Sequence, residues 1–126
     1  MNIALRRDWT VPEYLAWAEA QSERRRTELI DGQIVEMPSE LVMHARIKIR
    51  AFKALEAALS GSGLQGEVLI DGVTVPIDAS SAYEPDALLY LGPAVAGAQM
   101  TAPEPVVVVE VLSPTTAHLD RGVKLA

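Results

Sequence analysis

Two carboxylates stand where apolar side chains would be expected. Asp86 heads the run Ala-Leu-Leu-Tyr after Pro85, and Glu110 interrupts Val-Val-Val-Val-Glu-Val-Leu-Ser-Pro over positions 106 to 114. Each run reads as a strand, being short, β-branched or apolar, and bounded by Pro or Gly. A symmetric antiparallel hairpin with 90 opposite 106 puts 86 opposite 110. Both acids then leave one face with Cβ atoms about 5 Å apart. Like charges so placed cost free energy unless something positive lies between them. A divalent cation is one such group. A structural partner for Glu110 such as Arg121 is another, and Asp86 after a proline is also a common turn residue.

The elements that must position these acids can be read in order. Thr10-Val-Pro-Glu13 has capping-box spacing with proline in the first turn, so a helix through Ala20 should follow, burying Tyr14, Leu15 and Ala18 beside Trp17. Asp31-Gly32 predicts a hairpin over Glu28 to Met37, because a type I′ turn needs positive φ at both central positions. Pro38-Ser39 predicts the next helix, with Ser39 as N-cap and Glu40 near its positive end. Leu41, Ala45, Lys48 or Ile49, Phe52, Leu55 and Leu59 follow helical spacing up to Gly61-Ser62-Gly63. His44 and Lys48 share one face of it, with Ala51 and Leu55. Glu67 to Ile77 reads as a strand bent at Asp71-Gly72, and Asp78 to Ala82 as a polar turn. Ser113-Pro114 starts a last helix carrying His118, Arg121 and Lys124, and that helix is uncapped at Ala126, which implies further residues. The order predicts one mixed α/β or α+β layer domain over residues 1–126.

Composition narrows the function. A chain of 126 residues, 49% hydrophobic, suits one globular domain. No run approaches the ~20 apolar residues of a membrane span, and the N-terminus lacks the apolar core of a signal peptide. There are no cysteines, which excludes disulfides and thiolate metal sites and fits a cytoplasmic protein. His44 and His118 are the only histidines, too few for a multi-histidine zinc site. The net charge of −6 argues against a generic nucleic-acid binder. Basic residues nevertheless cluster at Arg24 to Arg26 and at Arg46, Lys48, Arg50 and Lys53, readable equally as solvated surface or as phosphate contacts.

Five blocks occur in a telling order: Arg25-Arg-Thr-Glu28-Leu-Ile-Asp-Gly-Gln-Ile-Val-Glu-Met-Pro38, then His44, then Pro85-Asp86, then Val-Val-Glu110-Val-Leu-Ser-Pro114, then Asp120-Arg-Gly-Val-Lys124-Leu-Ala. From about residue 8 to 126 the chain resembles the Uma-type restriction endonucleases of the PD-(D/E)XK nuclease superfamily. The resemblance implies a restriction-endonuclease-like three-layer core, a mixed sheet flanked by helices. It implies Mg²⁺ or Mn²⁺ held by Asp86, Glu110 and the backbone carbonyl of Val111, and hard oxygen ligands suit magnesium. The implied activity is metal-dependent hydrolysis of DNA phosphodiester bonds through a metal-activated water. One departure stands out: two residues after Glu110, where the superfamily usually has lysine, is Leu112. In the Uma-type branch that amine lies on the following helix, which points to Lys124, with Lys48 and Arg121 as further candidates. Glu28 is a third carboxylate for the site, and His44 a contact for phosphate or water. DNA is the implied partner, and a homodimer the assembly that would cut both strands. Leu112 and the acidic charge favour an alternative, a non-catalytic nuclease-like module that binds nucleic acid or protein, and a purely structural interaction domain is a third reading.

Overall fold

The computed structural model describes residues 8–23, 25–37 and 40–112. Thr10 caps α1 (Val11–Ala20): its side chain accepts the Glu13 N–H, and the Glu13 carboxylate accepts the Thr10 N–H. Both halves of the expected capping box are therefore present. Val11 and Tyr14 enter a cluster with Trp9, Leu29, Ile34 and Ala82, and Leu15 and Trp17 pack half-buried against it. The Tyr14 hydroxyl donates to the Thr27 carbonyl at 2.9 Å and pairs with Thr27 Oγ1 at 2.8 Å, fastening α1 to β1.

Burial pushes the Tyr14 phenol up from 10.0 to about 12, helped by the charges of Glu84 and Glu28 and opposed by the Thr27 hydrogen bond. Between those two values the unfolded chain gives up the phenolic proton while the folded chain keeps it. This contribution to stability is therefore complete below pH 10 and is lost as pH rises towards 12. Tyr14→Phe should cost about 1 kcal/mol at neutral pH. Its alkaline decline should also be shallower than the parent's, read from urea midpoints at pH 9 and pH 11.

β1 (Thr27–Ile30) and β2 (Gln33–Glu36) pair antiparallel from Thr27↔Glu36 to Ile30↔Gln33. The two-residue turn between them has φ of 47° at Asp31 and 80° at Gly32, the positive pair that Asp-Gly predicts. All four β1 residues are buried, so Glu28 is an interior residue rather than an edge charge.

α2 (Val42–Ser62) begins later than the sequence suggests, with Leu41 as an extended N-cap that makes no side-chain cap bond. Ser39, the expected cap, lies outside the described residues. Gly63, the last residue of the expected Gly61-Ser62-Gly63 stop, ends the helix in the left-handed conformation. The inward stripe runs through His44, Lys48, Ala51, Phe52, Leu55 and Leu59. Of the alternatives at one turn, Lys48 faces in and Ile49 faces out.

The single bent strand expected over Glu67 to Ile77 is instead two strands in different sheets. β3 (Gly66–Ile70) ends at Asp71-Gly72, where Gly72 has φ of 82°, and β4 (Val75–Asp78) starts three residues later. The positive φ turns the chain out of the first sheet, which a merely bent strand could not do. Ser81–Tyr83, inside the expected turn and its exit, forms β5. β6 (Ala87–Leu91) and β7 (Val107–Val109) complete the described elements. One sheet has the order β2-β1-β5-β4 and the other β3-β6-β7, all pairs antiparallel. A parallel bridge joins Thr74 to Thr101. The result is an α+β architecture in which α2 packs on β3 and β6, and Val75, Leu88, Tyr90 and Ala102 form a second core. The last helix expected near Ser113 lies outside the described residues.

Gly66 begins β3 because nothing larger fits. A Cβ there would lie 2.5 Å from the Tyr90 carbonyl oxygen across the strand pair. Gly66→Ala must therefore push β3 off β6, at an expected cost of about 1–3 kcal/mol in denaturant unfolding.

Candidate active site

The three strands of the smaller sheet meet at Asp86. β6 and β7 pair as Ala87↔Val109, Leu88↔Val108 and Leu89↔Val107. This is the register expected from setting 86 opposite 110. One step further the ladder shifts, and the Asp86 N–H donates to the Val109 carbonyl at 3.0 Å. Chain beyond β7 then closes over the side chain, where the Val111 N–H donates to Asp86 Oδ2 at 2.6 Å. On the other flank, the Asp71 N–H donates to the Asp86 carbonyl at 3.3 Å, extending the β3–β6 pairing beyond Ile70↔Ala87. Opposed residues of paired strands share a face, so Asp71 and Asp86 present their carboxylates together.

Asp86 is 3% exposed, and a buried carboxylate must find charge or hydrogen-bond partners. Its Oδ1 is 3.5 Å from Arg26 Nη2 and 3.6 Å from Lys48 Nζ, and its Oδ2 is 3.3 Å from His44 Nε2. Lys48 Nζ also bonds Asp71 Oδ1 at 2.9 Å and contacts Glu40 Oε1, while Arg26 Nη1 lies 3.8 Å from Glu40. One oxygen from each of Glu40, Asp71 and Asp86 lies within 4.8 Å of the others. Two fixed cations and an imidazole thus surround three carboxylates.

That donor set fits a hard divalent ion. Magnesium takes oxygen ligands at 2.0–2.1 Å, which sets pairs of them about 2.9 Å apart when adjacent and about 4.2 Å apart when opposed, so the three oxygens would draw together around a bound ion. Asp86 is fixed by backbone on both flanks, whereas Glu40 and Asp71 are more exposed.

The residues singled out from sequence are distributed unevenly, and Lys48, a further candidate amine, stands at Asp86. Asp86 and His44 are in direct contact. Glu28 is wholly buried in β1, and its Oε2 accepts the Glu84 N–H at 2.9 Å. It therefore holds the start of the Glu84-Pro85-Asp86 connection that crosses from one sheet to the other. Val111 reaches Asp86 through its N–H, and Glu110 beside it is half-buried and outside the group of three carboxylates. Lys124 and Arg121 lie outside the described residues.

Arg26, Glu40 and Asp71 were not singled out. Arg26 sat in a basic triplet and Glu40 at a helix start, each explicable as surface. Asp71 had one usable signal: an acid just after an apolar strand whose neighbour in the sheet carries Asp86.

The fold is that of a restriction-endonuclease-like α+β domain. The structure is similar to the crystal structure of "a putative nuclease belonging to DUF820" from Anabaena variabilis, with a TM-score of 0.68 and 15% identity over 90% of this chain. The chain spans 63% of that protein's length. Residues 11–126 match the family model Uma2, described as "Putative restriction endonuclease", and the chain belongs to that family. Curated proteins give no match. Among the described residues no helix is long and apolar enough to cross a membrane.

Proposed function

We propose that this domain is the catalytic core of a metal-dependent endonuclease that hydrolyses DNA phosphodiester bonds. The observation that carries the reading is the buried Asp86, fixed by backbone from two neighbouring strands and facing Glu40 and Asp71 within 4.8 Å. Family membership supports the reaction class, and the carboxylate chemistry supports Mg²⁺ or Mn²⁺ as the ion.

Asp86 is the central ligand, with Asp71 and Glu40 beside it and Glu110 as the acid brought in by the strand end after β7. The bound ion would lower the pKa of a water and offset charge on the scissile phosphate. Arg26 and His44 offer N–H donors at the rim of the carboxylates, suited to phosphate oxygens. Lys124 is the proposed amine standing in for the lysine missing at Leu112. Glu28 acts on Asp86 through Glu84 and so is a positioning residue.

The test is nicking of plasmid DNA with Mg²⁺ or Mn²⁺ by the parent, Asp86→Ala and Glu110→Ala. Cleavage by the parent alone is expected, and equal activity in all three would sink the proposal. A second reading, a nuclease-like module that binds without cutting, has one observation in its favour: Leu112 is 44% exposed where the superfamily's lysine would stand. It predicts salt-sensitive DNA binding through Arg46, Arg50 and Lys53 on the outer face of α2, with no cleavage by any variant.

A further inference from the structure

Lys48 is the residue least like its surroundings. It is 4% exposed in the second turn of α2, while the adjacent Ile49 is 46% exposed. A helix ordinarily turns the isoleucine in and the lysine out, because an ammonium leaving water is costly unless it is paired. Here the inversion places Nζ against Glu40, Asp71 and Asp86 together, 2.9 Å from Asp71 Oδ1 and 3.6 Å from Asp86 Oδ1. These are the same three carboxylates that lie within 4.8 Å of one another. Arg26 approaches only from one side, at 3.5 Å and 3.8 Å. The ammonium therefore stands in the middle of the oxygen cluster, and the guanidinium at its margin.

We propose that Lys48 is the resident cation of this site. Its ammonium and a divalent metal ion compete for Glu40, Asp71 and Asp86, so metal loads by displacing the Lys48 side chain. Three carboxylates this close repel one another strongly unless a positive charge lies among them. Lys48 supplies that charge to the metal-free chain and keeps the site folded. A monovalent ammonium on a flexible four-carbon stem can leave without moving the backbone, which a packed apolar side chain could not. The inference rests on the metal-dependent reading above and deepens it by naming what sets metal affinity.

The experiment measures Mn²⁺ binding directly, by the paramagnetic resonance signal of free Mn²⁺. It compares the parent with Lys48→Met, Lys48→Arg and Asp86→Asn. Lys48→Met is expected to bind Mn²⁺ at least tenfold tighter than the parent. Lys48→Arg keeps the charge and should stay within a few-fold of the parent, and Asp86→Asn should bind far more weakly. Thermal unfolding gives a second readout: in EDTA, Lys48→Met should melt below the parent, and saturating Mn²⁺ should raise its midpoint by more than it raises the parent's. If Lys48→Met does not fold in EDTA, Lys48→Gln takes its place in both measurements. Equal Mn²⁺ affinity in the parent and the neutral variant would overturn the role of Lys48 while leaving the metal site standing. No Mn²⁺ binding by any chain at millimolar concentrations would overturn the metal reading itself, and this inference with it.

Discussion

Asp86→Asn should reduce metal-dependent DNA cleavage by about 10²–10³-fold, the scale on which loss of one charge-stabilising group acts. Asparagine keeps the shape of the side chain and one oxygen that can accept the Val111 N–H. It removes the negative charge that faces Arg26, His44 and Lys48 and that would bind the ion. The backbone bonds to Val109 and from Asp71 are untouched, so the strand ends should stay in register. Circular dichroism should show the native fold with a lowered midpoint, because the amide NH2 now faces the Arg26 and Lys48 donors, beside the lost nicking activity. A variant that folds and cuts at the parental rate would remove Asp86 from the chemistry. Cleavage restored by raising Mn²⁺ would place the defect in metal binding rather than in the chemical step.

Glu28→Ala should be the most damaging change away from the carboxylate cluster. The side chain is wholly buried in a strand whose four residues are all interior, and truncation leaves both a cavity and a Glu84 N–H without its acceptor. Each is costly, and together they should remove about 2–4 kcal/mol. For a domain of this size that lowers the melting midpoint by about 10 °C. Cleavage measured well below the new midpoint should also fall, because Glu84 begins the three-residue connection that delivers Asp86. Glu28→Gln retains an oxygen in the same place and should recover much of the stability. If Glu28→Ala melted like the parent, Glu28 would not be the tie between the sheets.

Several local features were legible from short stretches. Thr10-Val-Pro-Glu13 gave its capping box, Asp31-Gly32 its turn with two positive φ values, and the two apolar runs their register. In each case the determining interactions lie within a few residues, or follow from two strands meeting at a fixed offset. Asp86 was legible for a related reason, since an acid among buried apolar residues requires a partner wherever the chain goes.

The partners themselves were not legible. Arg26, Glu40 and Asp71 are separated from Asp86 by 15 to 60 positions along the chain, and none has a local pattern that distinguishes it from surface charge, while Lys48 was readable only as one of several candidate amines. The choice between Lys48 and Ile49 illustrates the limit, because helical spacing permits either to face inward. Only the acids waiting at the ends of β3 and β6 make the ammonium the better occupant. In the same way, Asp71-Gly72 announces a break, but whether the chain bends within a sheet or leaves it depends on the strand that pairs beyond. The sequence alone determined the first helix, the Asp-Gly hairpin and the β6–β7 register, and that Asp86 needs a counter-charge. The tertiary structure decided which charges meet it, because electrostatic pairing depends on distance in space and is indifferent to distance along the chain.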